Sequence, residues 1–285
     1  MKLSFSFLSN KVFEMKSDFG KTISSAIKYS AVPKRMLPFF ILLLPYIAAL
    51  ILFLDNAGVI IQAFLTRNIG SIASLLGFAL GFVILAVIIG LMTLWLNTLV
   101  VENSKRYWQG STKRLLSEER KAVKGTFLNA FIGTVAVAVI SMIVSMIPFV
   151  GWLLGIIIGL MFFAYLPASV LNRTNGLKES YEIFMENKLE TFAFWIVLAV
   201  ISLVFIAIAL IPALIALMAA AGGALFTALA AGSGFTGVFA AIKSHLVIVA
   251  IGGIISAFLF SFVTLFDTSA KTMYYLQMAG KKKRS

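Results

Sequence analysis

Six long apolar runs divide the chain, and a polar segment whose apolar residues recur at helical spacing stands before the first, third and fifth of them. A hydrocarbon core of about 30 Å needs about 20 helical residues, a length that every run meets. The pattern predicts spans from Met36 to Leu54, Ile69 to Val101, Phe127 to Ile147, Trp152 to Leu171, Phe192 to Leu217 and Leu246 to Phe266. The second is longer than a crossing needs, so it must tilt, bend at its glycines or project from the bilayer. From Phe192 to Ile242 there is no charge, and the stretch holds Pro212 and an Ala- and Gly-rich segment from Ala219 to Gly237. A re-entrant or interfacial segment is expected there, because a seventh crossing would move the basic C-terminus to the other side.

The polar segments predict helices lying in the membrane plane. In the first, Phe5, Leu8, Val12, Met15, Phe19, Ile23 and Ile27 advance by three or four residues, while Lys11, Glu14, Lys21, Ser24 and Lys28 take the other face. The second uses Leu115, Leu116, Val123 and Phe127, and the third Leu177, Tyr181, Phe184 and Phe192. The third is acidic through Glu179, Glu182, Glu186 and Glu190, and is expected to lift from the lipid or to dock on the basic segment Lys113 to Lys124.

Even-numbered spans carry small residues four apart, which share a helix face: Ala73, Gly77 and Gly81, then Gly151, Gly155 and Gly159, then Gly253, Ala257 and Ser261. Lipid supplies little hydrophobic drive between helices, so such faces are expected to bring the even spans together by close backbone approach. Val137-Ala138-Val139-Ile140-Ser141 parallels Leu198-Ala199-Val200-Ile201-Ser202. The expected fold is therefore all-α, an integral membrane bundle of six transmembrane helices built as three repeats of in-plane helix plus helical hairpin. Within one membrane domain, 1–285, the repeats would be unit one (1–101), unit two (102–171) and unit three (172–270), followed by a basic tail (271–285).

Charge adds an orientation. The successive gaps, from the N-terminus to the C-terminus, hold 7, 1, 7, 0, 3, 1 and 5 Lys and Arg residues, so 22 of the 24 occupy alternate gaps. Short cytoplasmic loops keep such residues, which predicts a multi-pass protein of the cell membrane with both termini cytoplasmic. Met1 to Asn10 contain no apolar core of signal-peptide length, so the mature chain is expected to begin at Met1. The net charge of +13 has its expected partner in the anionic inner leaflet, through Lys11, Lys21, Lys28, Lys34, Arg35, Lys281, Lys282, Lys283 and Arg284. Base-stacking aromatics on a soluble basic surface are lacking, which argues against nucleic acid. A second copy of the chain or another membrane protein are the remaining partner classes.

A chain that is 61% hydrophobic and 12% charged, with mean hydropathy +1.02, has lipid as its main solvent. It has no Cys and a single His, His245, which excludes disulfides, thiolate chemistry and multi-histidine metal sites. No cofactor, metal or catalytic residue is expected. The predicted spans have no ionisable residue near their middle; Asp55, Glu102 and Asp267 stand at span ends, where water or headgroups solvate them. Thr93, Asn97 and Thr98 on the second span, with Ser141 and Ser145 on the third, are candidates for a polar lining, although such groups more often satisfy each other between helices. Gly232-Ser233-Gly234 with His245 only distantly matches a rhomboid-type serine protease: Ala231 stands where that string needs Gly, and His245 follows in the same segment. Gly20-Lys21-Thr22 lacks the spaced Gly and preceding strand of a phosphate-binding loop.

The stretch Leu166-Pro167 through Asn175-Gly176-Leu177-Lys178-Glu179-Ser180, leading to Phe184 and Phe192, with Tyr274 and Tyr275 after the last span, resembles a pattern in poorly characterised prokaryotic multi-span proteins. These include the integral membrane domain attached to some glycerophosphodiester phosphodiesterases. The resemblance implies a span leaving at a Pro, a Gly turn and a short helix leading to the next span, and it brings no catalytic residues. The expected function is a non-enzymatic polytopic membrane protein that organises lipid or partner proteins through a basic amphipathic cytoplasmic face. The alternative is a transporter or channel for a lipid-like or neutral substrate.

Overall fold

The computed structural model describes residues 18–66, 69–111, 115–148, 150–174, 176–230 and 243–282, with the backbone alone at 56–66, 69–75, 78, 223–230 and 281–282. Every regular element among them is helical: α1 (Phe19–Ser30), α2 (Pro33–Thr66), α3 (Ile69–Trp108), a 3-10 turn (Leu116–Glu119) running into α4 (Arg120–Val123), α5 (Phe127–Ser145), α6 (Gly151–Met161), α7 (Tyr165–Asn172), α8 (Leu177–Glu186), α9 (Lys188–Ala230) and α10 (Leu246–Lys282). Six stretches are long and apolar enough to cross a membrane, and each overlaps one predicted span.

Two boundaries differ from the sequence pattern, and a proline explains each. The predicted single helix from Trp152 to Leu171 is broken at Phe162–Ala164 into α6 and α7. Pro167 has no N–H to offer, and its ring opposes the carbonyl four residues back, at Phe163, so it settles in the first turn of a new helix. The broken backbone is satisfied from outside: Ser180 Oγ donates to the Met161 carbonyl (3.1 Å) and accepts from the Ala164 N–H (3.1 Å). With 11 residues, α6 rises only about 16 Å, so this crossing requires α6 and α7 together.

The fifth span behaves in the opposite way. Pro212 and the start of the Ala- and Gly-rich segment lie inside one helix of 43 residues, α9, where an interruption was expected. Packing pays for the proline: the Ala213 N–H donates to Ser256 Oγ on α10 at 3.1 Å, and Gly252 of α10 leaves room for the Pro212 carbonyl. The re-entrant segment is thus absent as far as Ala230, and residues 231–242 lie outside the described part.

Packing divides the chain into two compact bodies that do not follow the boundaries of the three expected repeats. One is formed by residues 33–96 and 202–264, the other by residues 97–201 with both ends of the chain. Among the described residues, the first body has Lys34, Arg35, Asp55 and Lys243 as its only charged side chains; all the others belong to the second. We call them the apolar and the charged body.

In the apolar body, aromatic pairs join Phe40 to Phe258 (5.8 Å between centroids), Tyr46 to Phe82 (6.2 Å) and Phe205 to Phe262 (5.1 Å). Its outer surface is aliphatic, with Leu76, Leu80, Val83 and Val87 exposed on α3. Lys243 pairs with Asp55 at 2.9 Å. In the charged body the core is an aromatic cluster in which Phe194 stacks on Tyr274 (4.4 Å), with Phe163 and Phe19 edge-on to Phe194 (5.9 and 5.3 Å).

The helix expected to lie against lipid at the N-terminus is packed into the charged body along another face. Thr22, Ala26, Tyr29 and Ser30 are buried, whereas Phe19, Ile23 and Ile27 of the expected apolar stripe are half-buried, and Lys21, Ser24 and Lys28 are exposed as the pattern predicts. The expected members Phe5, Leu8, Lys11, Val12, Glu14 and Met15 lie outside the described residues. Small and hydroxyl side chains allow the close approach; Gln277 Nε2 donates to Thr22 Oγ1 (2.8 Å), and the Ser30 and Ser269 hydroxyls meet at 3.4 Å. Similarly, α8 buries Ser180 and Ile183 and leaves Tyr181 exposed, as is Phe192 at the start of α9.

Candidate functional site

In the charged body, side-chain hydrogen bonds connect α3, α7 and α10. The three helices are tied by Thr268 Oγ1 donating to Asn97 Oδ1 (3.1 Å) and Asn172 Nδ2 donating to the Tyr275 hydroxyl (2.8 Å). The second tie continues: Tyr275 donates to Glu179 Oε1 on α8 (2.6 Å), and Asn172 Nδ2 also donates to Glu179 Oε2. Glu179 is therefore held in one position by donors from two other helices, and through it the acidic α8 is tied to α7 and α10. Beside this triad lies a cavity of about 430 Å³, which Lys105 of α3 and Gln109, just past its end, also line.

The turn that places Glu179 depends on Gly176, whose φ is +67°, in the left-handed region. A Cβ at Gly176 would overlap the Ser169 hydroxyl and the Tyr165 carbonyl, so α8 can start only because nothing projects from this residue.

A second network fixes the basic segment after α3. Glu119 is fully buried; Asn103 Nδ2 donates to its Oε1 (3.3 Å) and Arg106 Nε lies 3.0 Å from its Oε2. Tyr29 of α1 donates to Asn103 Oδ1 (3.0 Å), and Glu102 stands 3.4 Å from Arg106. Leu116 and Val123 are buried under this network, leaving Arg120, Lys121 and Lys124 exposed.

A smaller cavity of about 170 Å³ lies at the α6–α7 break, lined by Asn97, Tyr165, Pro167, Asp267, Thr268 and Lys271. Lys271 pairs with Asp267 at 2.7 Å. Of the residues expected to form a polar lining, Asn97 alone reaches it: Thr98 is buried elsewhere, Thr93 and Ser141 are half-buried, and Ser145 is exposed and donates to the Met142 carbonyl of its own helix (2.7 Å).

The small-residue faces also divide. Gly77, Gly81, Gly155 and Gly159 have no neighbour within 4 Å of an added Cβ among the described residues. Gly151 does, with the Val144 carbonyl 2.6 Å from that position, and Gly253 meets Ile47 of α2 at 3.2 Å. Ala257 and Ser261 are buried; for Ala73 only the backbone is described. The tightest notch of α10 is Gly252 with Ser256, one position before the predicted face, and its sequence signal was the Pro212 that it accommodates.

Among the residues expected to contact anionic lipid, Lys21, Lys28 and Lys34 are exposed, whereas Arg35 is only 2% exposed. It shares a helix face with buried Phe39 and Leu42, four and seven residues on, which turns it into the protein. Lys281 and Lys282 close α10 by their backbone, and Lys11, Lys283 and Arg284 lie outside the described residues, as do Gly232, Ser233 and Gly234. His245 Nδ1 sits 2.8 Å from the hydroxyl of its neighbour Ser244. Among the described residues no group of three His, Cys, Asp or Glu side chains could hold a metal.

The fold defines a multi-pass helical membrane protein. Comparison with known proteins finds no family model, no curated protein and no solved structure that matches the chain.

Proposed function

We propose that this is a non-enzymatic membrane protein with both termini in the cytoplasm, whose charged body organises anionic lipid or a partner protein at the inner surface. The reading is carried by one observation, the concentration of nearly all described charge in one compact body while the other is apolar. Lys21, Lys28, Arg120 and Lys121 stand exposed on helices that packing holds in place, with Lys124 exposed just after the last of them. Each basic side chain near an anionic leaflet contributes about 1 kcal/mol, so a few rigidly presented together suffice to select charged lipid.

The test is reconstitution of the full chain in mixed phosphatidylcholine and phosphatidylglycerol, followed by analysis of the lipid that stays bound on extraction into detergent. Phosphatidylglycerol is expected to be enriched severalfold, and changing those five residues to Gln should abolish the enrichment. Equal retention of both lipids by the unaltered chain would contradict the reading.

The second reading, a transporter or channel for a lipid-like or neutral substrate, draws on a cavity of about 540 Å³ in the apolar body, lined by Tyr46, Leu50, Phe53, Ala79 and Phe82. Its walls suit an acyl chain. Substrate flux across sealed vesicles would favour it over the first.

A further inference from the structure

The cavity beside Glu179 is lined by groups of unlike chemistry. Asn172 uses both amide hydrogens, on Glu179 and on Tyr275, which leaves its carbonyl oxygen as an acceptor next to a carboxylate already fixed in place. Two acceptors so placed suit a cation with several N–H groups. Among the described residues Tyr275 is the sole aromatic side chain lining the cavity, whereas a quaternary ammonium is recognised by a cage of rings. The lining also includes Lys105 and, four residues on, Gln109. Lys105 Nζ stands 3.8 Å from Glu102 Oε2, beyond hydrogen-bond length, and brings a positive charge and N–H donors to the cavity. Leu171, Ile183 and Leu276 add aliphatic surface. A volume of about 430 Å³ is of the size that holds a small ligand.

The geometry points to a binding site for a phosphodiester that carries a primary ammonium, the ammonium on Glu179 and Asn172 and the phosphate on Lys105 and Gln109. The lining matches that chemistry, with acceptors for the ammonium, donors for the phosphate and aliphatic surface beside them. The inference deepens the lipid-organising reading and rests on it for the placement of these helix ends at headgroup depth. A zwitterionic phospholipid and its soluble, deacylated headgroup share this chemistry.

Native mass spectrometry of the delipidated full chain, titrated in detergent, tests it with four probes: phosphatidylethanolamine, phosphatidylcholine, phosphatidylglycerol and glycerophosphoethanolamine. Phosphatidylethanolamine is expected to bind about tenfold tighter than phosphatidylcholine, the size of effect that charge-assisted hydrogen bonds to the ammonium supply. Glu179→Gln should remove that preference, and Lys105→Met, at a side chain about a third exposed, should weaken phosphatidylethanolamine about tenfold. Competition by glycerophosphoethanolamine identifies the soluble headgroup as sufficient; binding of the diacyl lipid alone identifies the membrane as the source. Equal affinity for phosphatidylethanolamine and phosphatidylcholine, or a preference that survives both variants, overturns the inference. Phosphatidylglycerol, measured in the same samples, reports separately on the basic face: it stays bound if only the cavity assignment fails, and is not retained if the wider reading fails.

Discussion

Gly176→Ala is expected to destabilise the protein by about 3 kcal/mol, the largest effect of any single methyl group added to the charged body. Two costs act together. The backbone at φ +67° is strained for any residue with a Cβ, at about 1 kcal/mol, and the methyl must also displace the Ser169 hydroxyl and the Tyr165 carbonyl, an overpacking that costs about 2 kcal/mol. Gly110 separates the two, because its φ is +102° but its surroundings are open; Gly110→Ala should cost about 1 kcal/mol only. Thermal unfolding in detergent measures both. Because the Gly176 turn sets Glu179 on Asn172 and Tyr275, the variant should also lose the ethanolamine preference of the cavity, while Gly110→Ala should keep it.

The corresponding position in the apolar body is Gly252. An added methyl would stand 2.7 Å from the Pro212 carbonyl and overlap the Ala216 side chain, both on α9. The helices would have to separate where Ser256 replaces the hydrogen bond that the proline disrupts, so Gly252→Ala is expected to cost about 2 kcal/mol. Gly155→Ala, in a helix interior with nothing near the new methyl, should instead be neutral or stabilising by up to about 1 kcal/mol, through helix propensity alone. Parallel melting curves of the two variants distinguish a packing notch from a glycine that merely occurs in a repeat of small residues.

The contrast shows which parts of this fold were legible in the sequence. Six spans could be read because lipid demands long uncharged runs, and each run became a helix or a helix pair. The small-residue faces could be seen but not assigned, since spacing by four records a shared face and not what lies opposite it; Gly253 packs on Ile47, whereas Gly77 meets nothing among the described residues. The two prolines, alike in sequence, have opposite outcomes because partners distant in the chain decide them: Ser180 stitches a break at Pro167, and Ser256 with Gly252 keeps α9 whole at Pro212.

The polar cavities were less legible. Asn97 stood out because it interrupts an apolar run, but Asn172, Glu179 and Tyr275 look like ordinary interfacial residues until folding joins three segments. Arg35 was misplaced for a related reason: its charge suggested surface, while its register with Phe39 and Leu42 put it inside.

The central claim is that the exposed basic surface of the charged body faces the cytoplasm. Because the chain has no Cys, single cysteines can be introduced without background, at Lys121 in the basic segment and at Lys243 in the opposite class of gap. With a membrane-impermeant maleimide, Lys243→Cys is predicted to label in intact cells and Lys121→Cys only after permeabilisation. Labelling of Lys121→Cys in intact cells would contradict the account.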